Sequence, residues 1–258
     1  MRKITTLCIL LLLMLTARAD FHDLSLSVTV KIQTNGSAQV TELIKLSVDP
    51  GSKDLYNRSI YARELTIMDW QQITKSQYLR QHILSSTAAR NVRVTPQDLE
   101  SYSYLLQSTA VIKLEYEVDK VVVVNHTGPR TITYTFDKSV LSFQPSPSGS
   151  VLPRDNELTI IIPPDAVVTS LSPDPTEPAV TKNYLNQVIG VSNFTWKGTV
   201  PLMDFSLVFV REEPIDVEVR RFFEEITTAF IQFSLSLPGA VVLLLVVLFI
   251  ILLAMRKR

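Results

Sequence analysis

The chain has 258 residues, with 25 basic and 25 acidic side chains and one cysteine, Cys8. Setting aside the basic residues near the two ends leaves 19 basic against 25 acidic residues between positions 20 and 255, so the basic footprint of a nucleic-acid binder is missing and no nucleic-acid partner is expected. With no cysteine beyond Cys8, the rest of the chain has neither disulfides nor thiolate chemistry and must hold together by packing.

Residues 1–19 read as a secretory signal. Arg2 and Lys3 precede an apolar run from Leu7 to Leu15, and Ala17 and Ala19 give an Ala-x-Ala pattern before Asp20. Such a run is too short to cross a hydrocarbon core, which needs about 20 residues. Beyond it, Leu24, Leu26, Val28, Val30 and Ile32 alternate with polar residues, as in a half-buried strand. The turn at Asn35-Gly36 leads to a second alternating run, Ala38, Val40, Glu42, Ile44, Leu46 and Val48, and the pair predicts a β-hairpin. The period of two is lost from about 54 to 86, where one or two short helices are expected as an insertion.

Strand patterning resumes at Val92–Thr95. It is clearest where Ala110, Ile112, Leu114, Tyr116 and Val118 face one side. Further strands are expected at Lys120–Val124, Thr131–Phe136 and Ser139–Phe143. Residues 144–157, with Pro145, Pro147 and Pro153, read as a loop or linker. Residues 158–213 read as a smaller β-domain or a continuation of the same sandwich. Short strands with frequent turn signals predict a mainly β ectodomain at 20–213, an antiparallel β-sandwich of one or two β-domains with a helical insertion.

A juxtamembrane helix is expected at 214–236. Val219, Phe223, Ile226, Phe230, Phe233 and Leu237 are spaced four, three, four, three and four, the seam of a helix that packs against something. Self-association, packing on the exterior domain or a partner subunit, and burial in the lipid interface all fit that seam. From Leu237 to Met255 no charge interrupts an apolar run long enough for a transmembrane helix. Arg256, Lys257 and Arg258 then anchor the topology, with the C-terminus cytoplasmic and the N-terminal domain outside.

Four sequons, at Asn35, Asn57, Asn125 and Asn193, mark glycosylation sites. His22, His82 and His126 are isolated, with no second metal ligand at helical spacing, and each reads as a surface or packed histidine. No Gly-x-Ser-x-Gly elbow and no phosphate-cradling loop occurs. Glu115 and Glu117 read as a solvated sheet face, and Asp174 with Glu177 is a weak calcium signal. No catalytic residue, metal or cofactor is therefore expected.

Signal, β-rich exterior and single C-terminal span, with a Leu-x-Ile-x-Ile-Pro strand (Leu158, Ile160, Ile162, Pro163) and a Trp-x-Gly turn (Trp196, Gly198), resemble uncharacterised archaeal and bacterial single-pass surface proteins. The resemblance implies a layout and no activity. The expectation is a non-enzymatic, membrane-anchored module that binds or supports another cell-envelope component. The alternative is an accessory single-pass subunit of a membrane complex, joined through the helical seam. Membrane lipid, an envelope or membrane-protein partner, and a second copy of the chain are the expected partners.

Overall fold

The computed structural model describes residues 20–62, 65–101, 108–128, 130–147 and 149–236, then 241–242, 245, 249 and 255–256. The chain divides into two compact units, residues 1–125 with 133–211, and residues 126–132 with 212–258. It is mainly β, with several antiparallel sheets and short helices.

In the first unit, β1 (Phe21–Ile32) and β2 (Ala38–Val48) form the expected hairpin, and β2 pairs antiparallel along its whole length with β5 (Ser108–Val118). The alternation does what its period dictates. Leu26, Val28, Val30 and Ile32 of β1 are buried, and so are all five apolar positions of β5. Leu24 departs from the pattern and is 43% exposed, next to the register shift between Asp23 and Ser25. The hairpin turn depends on Gly36. Its φ is +87°, and a Cβ there would lie 3.0 Å from Val124 Cγ2 and 3.2 Å from the Val122 carbonyl oxygen.

The rest of this sheet comes from far along the chain. β10 (Asn156–Ile161) pairs in parallel with β1, Val28 opposite Leu158, and β12 (Asn193–Lys197) lies antiparallel to β10. The outer strand β3 (Arg90–Pro96) and the short β4 (Glu100–Ser101) both pair with β5, which completes seven strands. All expected pairings were antiparallel; the β1–β10 pair is parallel because β10 adds to the free edge of β1 in β1's own direction.

A second sheet has the order β11 (Val167–Ser172), β14 (Ser206–Glu212), β7 (Thr131–Phe136), β6 (Val122–His126). Tyr134 of β7 stacks on Phe209 of β14 with ring centroids 4.8 Å apart, and the Tyr134 hydroxyl donates to the Thr34 carbonyl at 3.0 Å. Trp196 of β12 meets Phe205 edge-on at 5.0 Å and donates its indole N–H to the Pro173 carbonyl at 2.9 Å.

Two sequence expectations fail locally. Ser139–Phe143 is not a strand: the Asp137 carboxylate accepts from the Ser139 N–H at 2.9 Å and folds Lys138–Val140 into a 3-10 turn. Leu141 makes only an isolated bridge, to Ile83. The proline-rich stretch 144–157 is not wholly loop or linker. It contains β8 (Gln144–Ser146) and β9 (Gly149–Leu152), which form a small sheet with β13 (Val200–Pro201). Pro145 sits within β8, which is an edge strand, where no ladder bond is lost.

The helical insertion is two short helices, α1 (Lys53–Ile60) and α2 (Ile67–Thr74). α2 begins with a reciprocal capping box, the Thr66 hydroxyl bonding the Asp69 N–H while the Asp69 carboxylate bonds the Thr66 N–H, and ends at Lys75 in the left-handed region. Tyr56 of α1 and Trp70 of α2 are buried with ring centroids 5.5 Å apart. The chain then leaves helical geometry, and residues 75–86 cross the first sheet as an irregular strap with Leu79, His82 and Ile83 inward.

The second unit contains α3 (Ile215–Leu235). Arg130 fastens its start. The guanidinium donates to the Glu213 carbonyl at 3.0 and 3.1 Å and lies 3.6 Å from the Glu218 carboxylate. Among the described residues no helix is long and apolar enough to cross a membrane. The expected span at 237–255 lies mostly outside the described residues, and the expected signal at 1–19 lies wholly outside them.

Candidate functional site

The first unit carries a buried charged network where an apolar face was expected. Glu42 occupies an inward position of β2 between Val40 and Ile44 and is completely buried. Its register partner on β5 is Leu114, and Tyr116, opposite Val40, is its diagonal neighbour on the same face. One carboxylate oxygen accepts the His82 backbone N–H at 2.8 Å and also the Tyr116 hydroxyl in a short hydrogen bond. The other lies 2.8 Å from His82 Nδ1. The Tyr116 oxygen in turn accepts the Ile83 N–H at 3.1 Å.

One acid thus gathers three donors and ties the strap to the sheet. A buried carboxylate is tolerable only when its lone pairs are filled in this way. Burial, followed by the Glu42 charge, drives the Tyr116 phenol far above its ordinary pKa, so it stays a donor. The carboxylate takes up the Nδ1 side of the His82 ring and leaves Nε2 for another partner.

His82 also lines an open pocket of about 460 Å³. Its walls come from the strap and from residues 143–156. They include Tyr78, Arg80, Phe143, Gln144 and Asn156. Backbone pairing sets these walls in register, the Ser142 N–H bonding the His82 carbonyl at 2.8 Å and the Leu84 N–H bonding the Val140 carbonyl at 2.8 Å. The His82 ring packs on Phe143 at 5.4 Å between centroids. Arg80 is held by the Phe143 carbonyl at 3.0 Å, and among the described residues no carboxylate pairs with it.

Among the described residues that line it there is no serine, threonine, lysine or carboxylate. The arrangement suits binding. The sequence reading took His82 for a surface or packed histidine and gave Glu42 no role, yet a single acid on the apolar phase of an alternating strand was the available signal.

The seam residues all lie on α3 except Leu237, which falls outside the described residues. Val219, Phe223, Ile226, Phe230 and Phe233 are 45–61% exposed. Ile215 and Phe222, at 61% and 58% exposed, were not counted in the seam. At about 100° per residue they join it, giving an apolar stripe about 100° wide. A strict heptad seam is narrower, so the stripe suits a broad surface rather than one partner helix.

All four sequon asparagines are exposed: Asn35 in the hairpin turn, Asn57 on α1, Asn125 on β6 and Asn193 on β12. The Asn35 side chain accepts from the Ser37 N–H and hydroxyl at 3.0 and 2.7 Å. Arg256 is described and exposed, while Lys257 and Arg258 are not among the described residues. Asp20, His22 and Asp49 place ligand atoms within 4.8 Å of one another on an exposed surface, a grouping separated in sequence and invisible to a spacing search.

No protein-family model matches the chain, and no curated protein matches it. Among solved structures, the chain is similar to the folded domain of the Mycobacterium tuberculosis LppM protein, determined by NMR, with 14% identity and a TM-score of 0.25 over 76% of this chain and 93% of that one. It is also similar to the Danio rerio Fcho1 mu homology domain with bound Eps15 peptide, with 7% identity and a TM-score of 0.24 over 76% and 80% of the two chains. At these scores neither likeness supports an argument about this chain.

Proposed function

We propose that the protein is a non-enzymatic binding module of prokaryotic surface type, exposed outside the cytoplasm and anchored by its C-terminal segment. The observation that carries this reading is α3. None of its described side chains is buried, it displays an aromatic-rich apolar stripe, and it precedes the charge-free run 237–255 in sequence. An apolar surface of that kind is stable only when lipid or another protein covers it. The seven- and four-stranded sheets form a β-sandwich, with Trp196 against Phe205 and the Tyr134 hydroxyl on the Thr34 carbonyl. The pocket beside His82, lined by cationic and amide groups without a nucleophile, is its binding face.

Membrane fractionation of the full chain, followed by alkaline carbonate washing and external protease, tests the anchor. The chain is expected to stay in the carbonate-washed pellet, with the β-domain cleaved from outside and the basic tail protected. Release by carbonate, or protection of the β-domain in intact cells, overturns the reading. The second reading, an accessory subunit, is favoured by the breadth of the α3 stripe. It predicts a stoichiometric membrane partner in mild detergent that is lost when Phe223, Ile226 and Phe230 are changed to Ser.

A further inference from the structure

We propose that the pocket beside His82 binds a sugar acid, a ligand that carries one carboxylate and several hydroxyls on a compact ring. This inference rests on the binding half of the function proposed above and is independent of the membrane anchor.

Three groups of the pocket lack partners of complementary kind. Arg80 is a guanidinium without a carboxylate among the described residues, yet it is held in place by the Phe143 carbonyl at 3.0 Å and lies 3.4 Å from the Ser142 hydroxyl. A guanidinium fixed in this way offers its remaining N–H groups to a carboxylate as a fork. The second group is His82: Glu42 takes up its Nδ1, and its Nε2, which has no hydrogen bond among the described residues, is not sealed from the pocket. The third is Asn156, 97% buried, whose side-chain oxygen has no donor. Buried acceptors left without donors are rare, because each forgoes the bond that water would have given it.

One buried acceptor without a donor and one open ring nitrogen call for hydroxyl groups, and one anchored cation calls for an anion. A plain anion such as phosphate or acetate satisfies Arg80 alone. A neutral sugar satisfies His82 and Asn156 alone. A sugar acid satisfies all three.

The remaining walls agree with this chemistry. Tyr78 receives a hydrogen bond from the Asn156 side chain, and burial together with the charges of Asp23 and Asp155 keeps its phenol protonated, so it donates to an ether or hydroxyl oxygen. The Asp23 carboxylate is itself taken up by the Ser76 hydroxyl and the Gln77 N–H and does not compete for Arg80. Phe143 and the two prolines give the C–H face of a ring an apolar floor, and about 460 Å³ accommodates one or two rings.

The test is calorimetric titration of the full chain in mild detergent with D-glucuronate, D-glucose and acetate, repeated on Arg80→Gln and Arg80→Lys. Glucuronate is expected to bind saturably, and glucose and acetate each at least about tenfold more weakly, because each lacks one half of the interaction. Arg80→Gln is expected to lose about tenfold or more in glucuronate affinity with glucose binding unchanged, and Arg80→Lys to recover part of that loss. Arg80 is an exposed residue, and unchanged melting of either variant shows that the fold is kept. No saturable glucuronate binding, equal binding of glucose or acetate, or indifference to both substitutions overturns the proposal. Carbonate-resistant membrane retention in the same preparation separates that failure from a failure of the anchored-module reading.

Discussion

Strand β2 and helix α3 break the same rule in opposite directions. β2 carries an acid into a face that is otherwise Val40, Ile44, Leu46 and Val48, and α3 carries four phenylalanines out to a face that no described residue buries. Scattered exposed apolar residues are ordinary, whereas a buried charge and a contiguous apolar stripe both need a cause. In β2 the cause is internal, since three donors meet Glu42 within the fold. In α3 no described residue supplies one. The first region should therefore respond to mutation through stability, and the second through association.

The largest effect is expected at the acid. Glu42→Ala strands His82 Nδ1, the His82 amide and the Tyr116 hydroxyl, and should cost about 3–5 kcal/mol in denaturant unfolding. Glu42→Gln, which keeps an acceptor, should lose about 1–3 kcal/mol. A loss below about 1 kcal/mol for the alanine variant would mean that the network does not hold the strap.

Alkali reaches the same network. Burial raises the pKa of both Tyr116 and Tyr56, so the folded protein keeps phenolic protons that the unfolded chain releases. Their contribution is fully present below about pH 10, the ordinary tyrosine value, and declines above it by about 1.4 kcal/mol per pH unit for each retained proton. Unfolding midpoints measured from pH 8 to 11 check this, and Tyr56→Phe should shallow the decline.

Gly36→Ala should cost at least about 1–2 kcal/mol, because a left-handed residue acquires a Cβ that meets Val124 and the Val122 carbonyl. A thermal melt unchanged by that substitution would mean that the turn is free to move. The smallest effect on stability belongs to α3. Phe223→Ser with Phe230→Ser should shift unfolding of the β-domain by less than about 0.5 kcal/mol, while detergent requirement or partner retention changes sharply. Loss of stability there instead would show that α3 is covered by its own chain.

The strands of the first sheet were legible because burial on one face imposes a period of two, which β2 and β5 keep along their eleven residues and β1 keeps from Leu26 to Ile32. The hairpin turn was legible from Asn35-Gly36. What lies between was not. Residues 75–86 have no period, since they are a strap held by side chains to a distant acid, and the inward turn of His82 depends on Glu42 forty positions earlier. The Ser139–Phe143 run has strand composition, but the Asp137 side chain captures the backbone before a ladder can form. The candidate pocket was legible only through Glu42, an acid in the wrong phase. Arg80 and Asn156 have no signal of their own, because they meet only after the strap and the β9–β10 turn have both formed.

The parallel pair of β1 and β10 has a consequence for the order of assembly. Val28 waits for Leu158, 130 positions further along the chain, so an emerging polypeptide can close the β1–β2 hairpin early yet leaves the other edge of β1 open until much of the β-domain has been made. Contacts of such long range slow folding and prolong the exposure of an unpaired strand edge. Under the proposed extracytoplasmic function the chain crosses a membrane unfolded, and there that delay is an advantage. The sheet cannot lock while only its first half is available, and the same open edge is where a chaperone that holds extended segments would take hold.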